Sequence, residues 1–187
     1  FVAGVAAMSD SGHFGTARIC AGFVGGADFM LGAEIDQVLE ALDIASGGRL
    51  RGIRGAANWD ADPAINTGSR PFAPRGLLLD SRFRSGVSRL SNYGLVYDAW
   101  QLHPQLPELC NLADAMPDLP IVVNHCGGLT AFGSYAIPDT ARVWRNNVAE
   151  LARRPNVFMK LGGLAKRFGV PAATGSVAST AEELAER

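Results

Sequence analysis

The sequence predicts an α/β protein built on a parallel sheet. Short apolar, strand-like runs alternate with longer amphipathic segments, and each strand-plus-helix unit spans a few tens of residues, which is the pattern of βαβ units. The composition agrees: 48% of the 187 residues are hydrophobic and 19% are charged, the balance of a globular chain with a sizeable core. One domain over residues 1–187, or part of one, is expected.

The first strand-like run is Arg18 to Val24, closed by Gly25-Gly26, with a helix-to-loop passage as the alternative. Ala33 to Ala45 follows as a helix, because Ile35, Val38, Leu39 and Leu42 recur at helical spacing and Gly47-Gly48 supply the stop. Leu50 to Ala57 reads as a strand, Pro74 to Tyr93 as an irregular helix and Gly94 to Ala99 as another strand. Pro104 opens the next helix, since its missing N–H costs nothing in a first turn. Pro120 to Cys126 is a strand around Ile121-Val122-Val123, Pro138 to Arg153 a helix, and Asn156 to Leu161 a strand ending in Gly162-Gly163. Gly68 to Pro74 reads as a loop, and Ser179 or Thr180, with Glu182 or Glu183 three residues on, carries the N-cap pattern of a further helix.

Seventeen Lys and Arg against 18 Asp and Glu leave no net field to attract phosphate backbones or anionic lipid, so neither nucleic acid nor a membrane surface is an expected partner. The three cysteines, Cys20, Cys110 and Cys126, are widely spaced and odd in number, which fits a reducing, cytoplasmic compartment. No apolar run approaches the ~20 residues that span a bilayer, and Phe1 to Met8 lacks the basic flank of a signal peptide.

In parallel α/β architectures reactive groups stand at the carboxyl ends of strands and on the loops that follow. Four such ends carry polar residues. In Val-Val-Asn-His-Cys-Gly-Gly, His125 closes an apolar run and Gly127-Gly128 let the backbone turn beside it. A buried imidazole there serves as metal ligand, acid, base or hydrogen-bond donor, or is a histidine packed for structural reasons. In Asn-Val-Phe-Met-Lys-Leu, alternation puts Val157, Met159 and Leu161 on one face and Phe158 and Lys160 on the other; the lysine either finds a partner or extends to the rim.

Arg54 in Leu-Arg-Gly-Ile-Arg-Gly suits bidentate grip of a substrate carboxylate, or a structural ion pair with Asp60 or Asp62. Asp98 stands at the end of Gly-Leu-Val-Tyr-Asp, His103 ahead of Pro104 is expected to cap a helix, and His13 falls in a solvated loop. There is no Gly-x-Ser-x-Gly elbow, no phosphate-binding glycine loop and no His-x-His. With three histidines in all, a multi-histidine metal site is not complete within this sequence.

Taken in order, Arg-Gly-Ile-Arg, Gly-Leu-Val-Tyr-Asp-Ala-Trp with His-Pro-Gln-Leu, Pro-Ile-Val-Val-Asn-His-Cys-Gly-Gly and Asn-Val-Phe-Met-Lys-Leu-Gly-Gly-Leu resemble the amidohydrolase-related family, which includes lactonases and decarboxylases. The resemblance covers nearly the whole chain. It implies a (β/α)8 TIM barrel whose active centre gathers a His-x-His pair from the first strand, a histidine from the fifth and an aspartate from the eighth. His125 matches the fifth-strand histidine, Arg54 a substrate-binding position on the third strand and Lys160 a position on the sixth; Asp98 is a further candidate for substrate binding.

The absent His-x-His, and the length against the ~250 residues of a typical barrel, predict an incomplete barrel holding roughly strands two to six. The resemblance implies hydrolysis of a small carboxylated ring substrate such as a lactone. The aspartate deprotonates water, His125 polarises the carbonyl and Arg54 orients the carboxylate. A divalent metal such as zinc, with His125 as a ligand, is compatible with the family, and so is its absence in lactonase-like members. Two alternatives stand beside this expectation: a metal-dependent decarboxylase of the same fold, and a non-catalytic, doubly wound domain that binds a ligand. An incomplete barrel also predicts unpaired strand edges, self-association into homo-oligomers and no turnover by these residues alone.

Overall fold

The computed structural model describes residues 1–65 and 72–163. Five parallel strands form one sheet in the order β1 (Phe23–Gly26), β2 (Leu50–Ala56), β3 (Val96–Trp100), β4 (Ile121–Val123) and β5 (Val157–Met159). Each strand pairs with the next in sequence. A doubly wound sheet needs a point at which strand order reverses, and this sheet has none, so the doubly wound alternative is overturned. The sequential order is that of an arc of a (β/α)8 barrel, in which β1 to β5 correspond to strands two to six.

The two faces of the sheet differ. Ile53, Tyr97, Ala99, Ile121 and Val123 are fully buried beneath the helices α2 (Ile35–Ser46), α3 (Ser81–Ser88), α4 (Leu106–Ala115) and α6 (Asp139–Leu151). Residues alternating with them face the other way, where Val24 and Phe158 are exposed beside Arg54 and Lys160. This second face is the one a closed barrel turns inward.

The helices begin where local chemistry allows. The Asp80 side chain accepts hydrogen bonds from the Arg82 and Phe83 amides, which starts α3 at Ser81 rather than at Pro74, and a separate 3-10 turn covers Leu77–Leu79. Gly47 ends α2 in the left-handed conformation that its lack of a Cβ makes inexpensive. Phe29, Phe83 and Tyr97 pack edge-to-face with centroids 5.4 to 6.3 Å apart. At Gly86 an added Cβ would lie 2.2 Å from the Phe29 carbonyl oxygen, so only glycine lets α3 approach this closely.

Several expected boundaries move. The first strand starts at Phe23, not Arg18, because Cys20 turns through a positive φ of 58° and the two glycines read as a terminus pair with Ile53 and Arg54 inside the sheet. Helix α1 (Val2–Asp10) buries only Ala6 and Ser9 and was not expected. The fourth strand stops at Val123, after which α5 (His125–Gly128) is a single tight turn with Cys126 and Gly127 in left-handed conformations. Part of the expected loop over Gly68 to Pro74 and the helix start near Ser179 lie outside the described residues. No helix among the described residues is long and apolar enough to cross a membrane. All three cysteines are free thiols.

Candidate active site

Register brings the site together. Arg54 and Asp98 are direct neighbours across β2 and β3, and Lys160, one residue past β5, donates its amide to the Val123 carbonyl and so extends the ladder. All three side chains stand on the uncovered face. Arg54 Nε and Nη2 both lie 2.8 Å from Asp98 Oδ2, while Lys160 Nζ donates to Oδ1 at 2.8 Å, reaching across β4.

Asn124 completes the group. Its Nδ2 donates to Asp98 Oδ1 at 2.8 Å and to the Ala99 carbonyl at 3.0 Å, and its Oδ1 accepts from Arg54 Nη2 at 2.9 Å. Asp98 is 0% exposed, whereas the Arg54 and Lys160 side chains are 46% and 45% exposed. The carboxylate is thus an internal anchor, and the two cations are what the open face presents. Burial alone pushes the Asp98 carboxyl up, but hydrogen bonds from Lys160, Arg54 and Asn124 and the charge of Arg54 outweigh it and hold it below the usual range. Two cations against one carboxylate leave one net positive charge.

The Arg54 partner is therefore Asp98, not Asp60 or Asp62. Lys160 resolves its alternatives by doing both: it pairs with Asp98 and remains solvated. His125 differs from the expectation of a buried imidazole. It is exposed, at a backbone φ of 51°, with its ring edge-on to Trp100 at 5.1 Å. Strand β4 has already ended at Val123, so His125 stands on the turn above it rather than in the packed sheet. Gly163 presses against it: a Cβ there would come within 2.6 Å of His125 Nδ1.

A second polar group lies on the loops beyond the same strand ends. The Tyr135 hydroxyl donates to Asp60 Oδ2, and the Tyr135 ring meets the His103 ring edge-on at 4.7 Å. His103 caps nothing, contrary to expectation; it is 3% exposed within a 3-10 turn, where the Gln105 side chain accepts from the Leu102 amide instead. Burial lowers the His103 imidazole to about 4, with Asp60 and the Gly128 carbonyl only partly opposing it.

An apolar cavity of about 480 Å³ opens at the β1 edge, lined by residues including Val2, Cys20, Phe23, Leu42 and Leu50, and none of the candidate residues line it.

The family model described as Amidohydrolase matches residues 15–187. The chain belongs to the amidohydrolase family. Its fold agrees: an amidohydrolase from Burkholderia multivorans, solved with bound zinc, superposes with a TM-score of 0.61 at 29% identity over 87% of this chain and 50% of that one. The same enzyme solved with bound HEPES gives a TM-score of 0.64 at 26% identity over 88% and 50%. The uncharacterized protein y4mH of Sinorhizobium fredii (strain NBRC 101917 / NGR234) is 33% identical over 143 residues, covering 76% of this chain and 44% of y4mH. The amidohydrolase chain thus spans about half the length of the relatives it matches.

For a metal, the donor set of the described residues falls short. His125 is a suitable single donor, but no group of three or more His, Cys, Asp and Glu is gathered to hold an ion among the described residues. Asp98, the nearest carboxylate on the sheet face, already accepts from Arg54, Lys160 and Asn124.

Proposed function

We propose that the complete barrel carrying these residues hydrolyses a small carboxylated ring substrate, of which a lactone is the simplest case. The observation that carries this reading is the pair Arg54 and Lys160, held on the uncovered sheet face by one buried carboxylate and keeping a net positive charge. Such a pair attracts an anion and has donors left to orient it. Asp98 contributes to substrate binding through these two side chains and does not touch the substrate.

His125, on the turn after the neighbouring strand, polarises the ring carbonyl as the attacking water adds. The base that takes the proton from water is the eighth-strand aspartate that the family resemblance implies. Residues 1–187 on their own then bind the carboxylate but turn nothing over. In the complete barrel, His125→Ala lowers the turnover of a carboxylated lactone by about 100-fold or more, the range for a lost catalytic proton donor or acceptor. Unchanged turnover in that variant removes His125 from the mechanism.

A further inference from the structure

We infer that Asn124 is a positioning residue that sets the charge selectivity of this site: it holds Arg54 against Asp98 without adding a charge of its own. The inference rests on the reading of Arg54 and Lys160 as the carboxylate ligands. Asn124 is 1% exposed, so it does not meet a ligand, yet it touches both halves of the ion network. One oxygen takes Arg54 Nη2, and one amide nitrogen serves Asp98 Oδ1 and the Ala99 carbonyl.

The position has a chemical alternative that shows what the amide does. An aspartate there would still accept from Arg54, but it would set a second carboxylate against Asp98 Oδ1 and the Ala99 carbonyl oxygen and lose both donations. It would also bring the local balance to two cations and two carboxylates. A site so neutralised keeps its shape-forming groups but no longer favours an anion over a neutral molecule of the same size. The amide is thus what leaves one positive charge uncompensated on the open face. Its place in the chain adds a second consequence. Asn124 immediately precedes His125, where the backbone turns through a positive φ, so the side chain that holds Arg54 stands at the foot of the imidazole-bearing turn.

The test compares benzoate with benzamide, its uncharged counterpart of equal size, titrated into the 15N-labelled 187-residue chain and followed by amide and Arg54 Nε resonances. The wild type is expected to bind benzoate in preference to benzamide, and Arg54→Gln to lose that preference. Asn124→Asp is expected to cut the preference by about tenfold or more, the loss of one charge's attraction at a partly solvated site. Asn124→Gln, which keeps a neutral amide able to accept from Arg54 and donate to Asp98, is expected to keep it.

A purely structural role would weaken both ligands alike and leave their ratio unmoved. If the wild type shows no preference, the reading of Arg54 and Lys160 fails and the inference falls with it. If Arg54→Gln abolishes the preference while Asn124→Asp retains it, the reading stands and the inference alone is overturned. Should Asn124→Asp not give a native spectrum, Asn124→Gln decides: retention of the preference supports the assignment and its loss overturns it.

Discussion

Arg54 directs two nitrogens at a single oxygen of Asp98, a carboxylate that solvent does not reach. Removing that carboxylate leaves Arg54 and Lys160 facing each other without their shared counter-ion. Asp98→Asn is expected to destabilise the fold by about 2 kcal/mol, less than the loss for a fully buried pair because both cations retain water. Urea denaturation checks this, and an unchanged midpoint contradicts it. The pH dependence follows in sign. A carboxyl held below its ordinary range contributes stability that is present above the unfolded-state value and lost as pH falls through the lowered folded value, so the acid limb of wild-type stability is steeper than that of Asp98→Asn.

His103 titrates with the same sign in a higher pH window. Its folded pKa of about 4 lies below the ordinary 6.5, so the unfolded chain binds the extra proton first. Stability is full above 6.5 and declines as pH falls towards about 4. His103→Phe keeps a ring against Tyr135 and removes the titration, and denaturation curves measured across that window are expected to flatten. A variant with the wild-type slope contradicts the assignment.

Gly163 meets His125 at a distance no Cβ tolerates and sits at a φ of 76°, where an L side chain costs about 1–2 kcal/mol. Gly163→Ala is expected to shift the His125 imidazole resonances and leave those of the core helices in place. Unmoved His125 resonances contradict the contact.

Gly86 is expected to behave differently, because the group it would strike is backbone. Gly86→Ala forces α3 away from the Phe29 carbonyl and costs about 1–3 kcal/mol, the range for overpacking a tight core. Thermal or urea unfolding measures it, and a variant as stable as the wild type shows that the helix shifts freely.

Much of this was legible from residue order. The strands around Ile53, Ile121 and Val157 and the helix from Ile35 follow from apolar periodicity, because packing against helices on one face demands it, whereas the barrel class came only from the family resemblance. The pairing of Arg54 with Asp98 was not, since it depends on the register of two strands 44 residues apart in sequence. Asn124 escaped notice beside the more reactive His125, although its place at the end of an apolar run was the available signal. The exposure of His125 was hidden for a physical reason: the strand breaks at Val123, and nothing in an apolar run followed by Asn-His announces a left-handed turn at non-glycine residues.

Selection of a ring carboxylate by Arg54 and Lys160, as proposed, is read out by comparing two substrates. The most direct measurement is kcat/KM of the complete barrel for a matched pair of lactones, one bearing a ring carboxylate and one lacking it, in wild type and Arg54→Gln. The wild type is expected to prefer the carboxylated lactone, and the preference to fall by about tenfold or more in the variant, as loss of a charge-assisted contact worth ~1.5–3 kcal/mol requires. Equal turnover of the two lactones by the wild type, or an undiminished preference in Arg54→Gln, contradicts it.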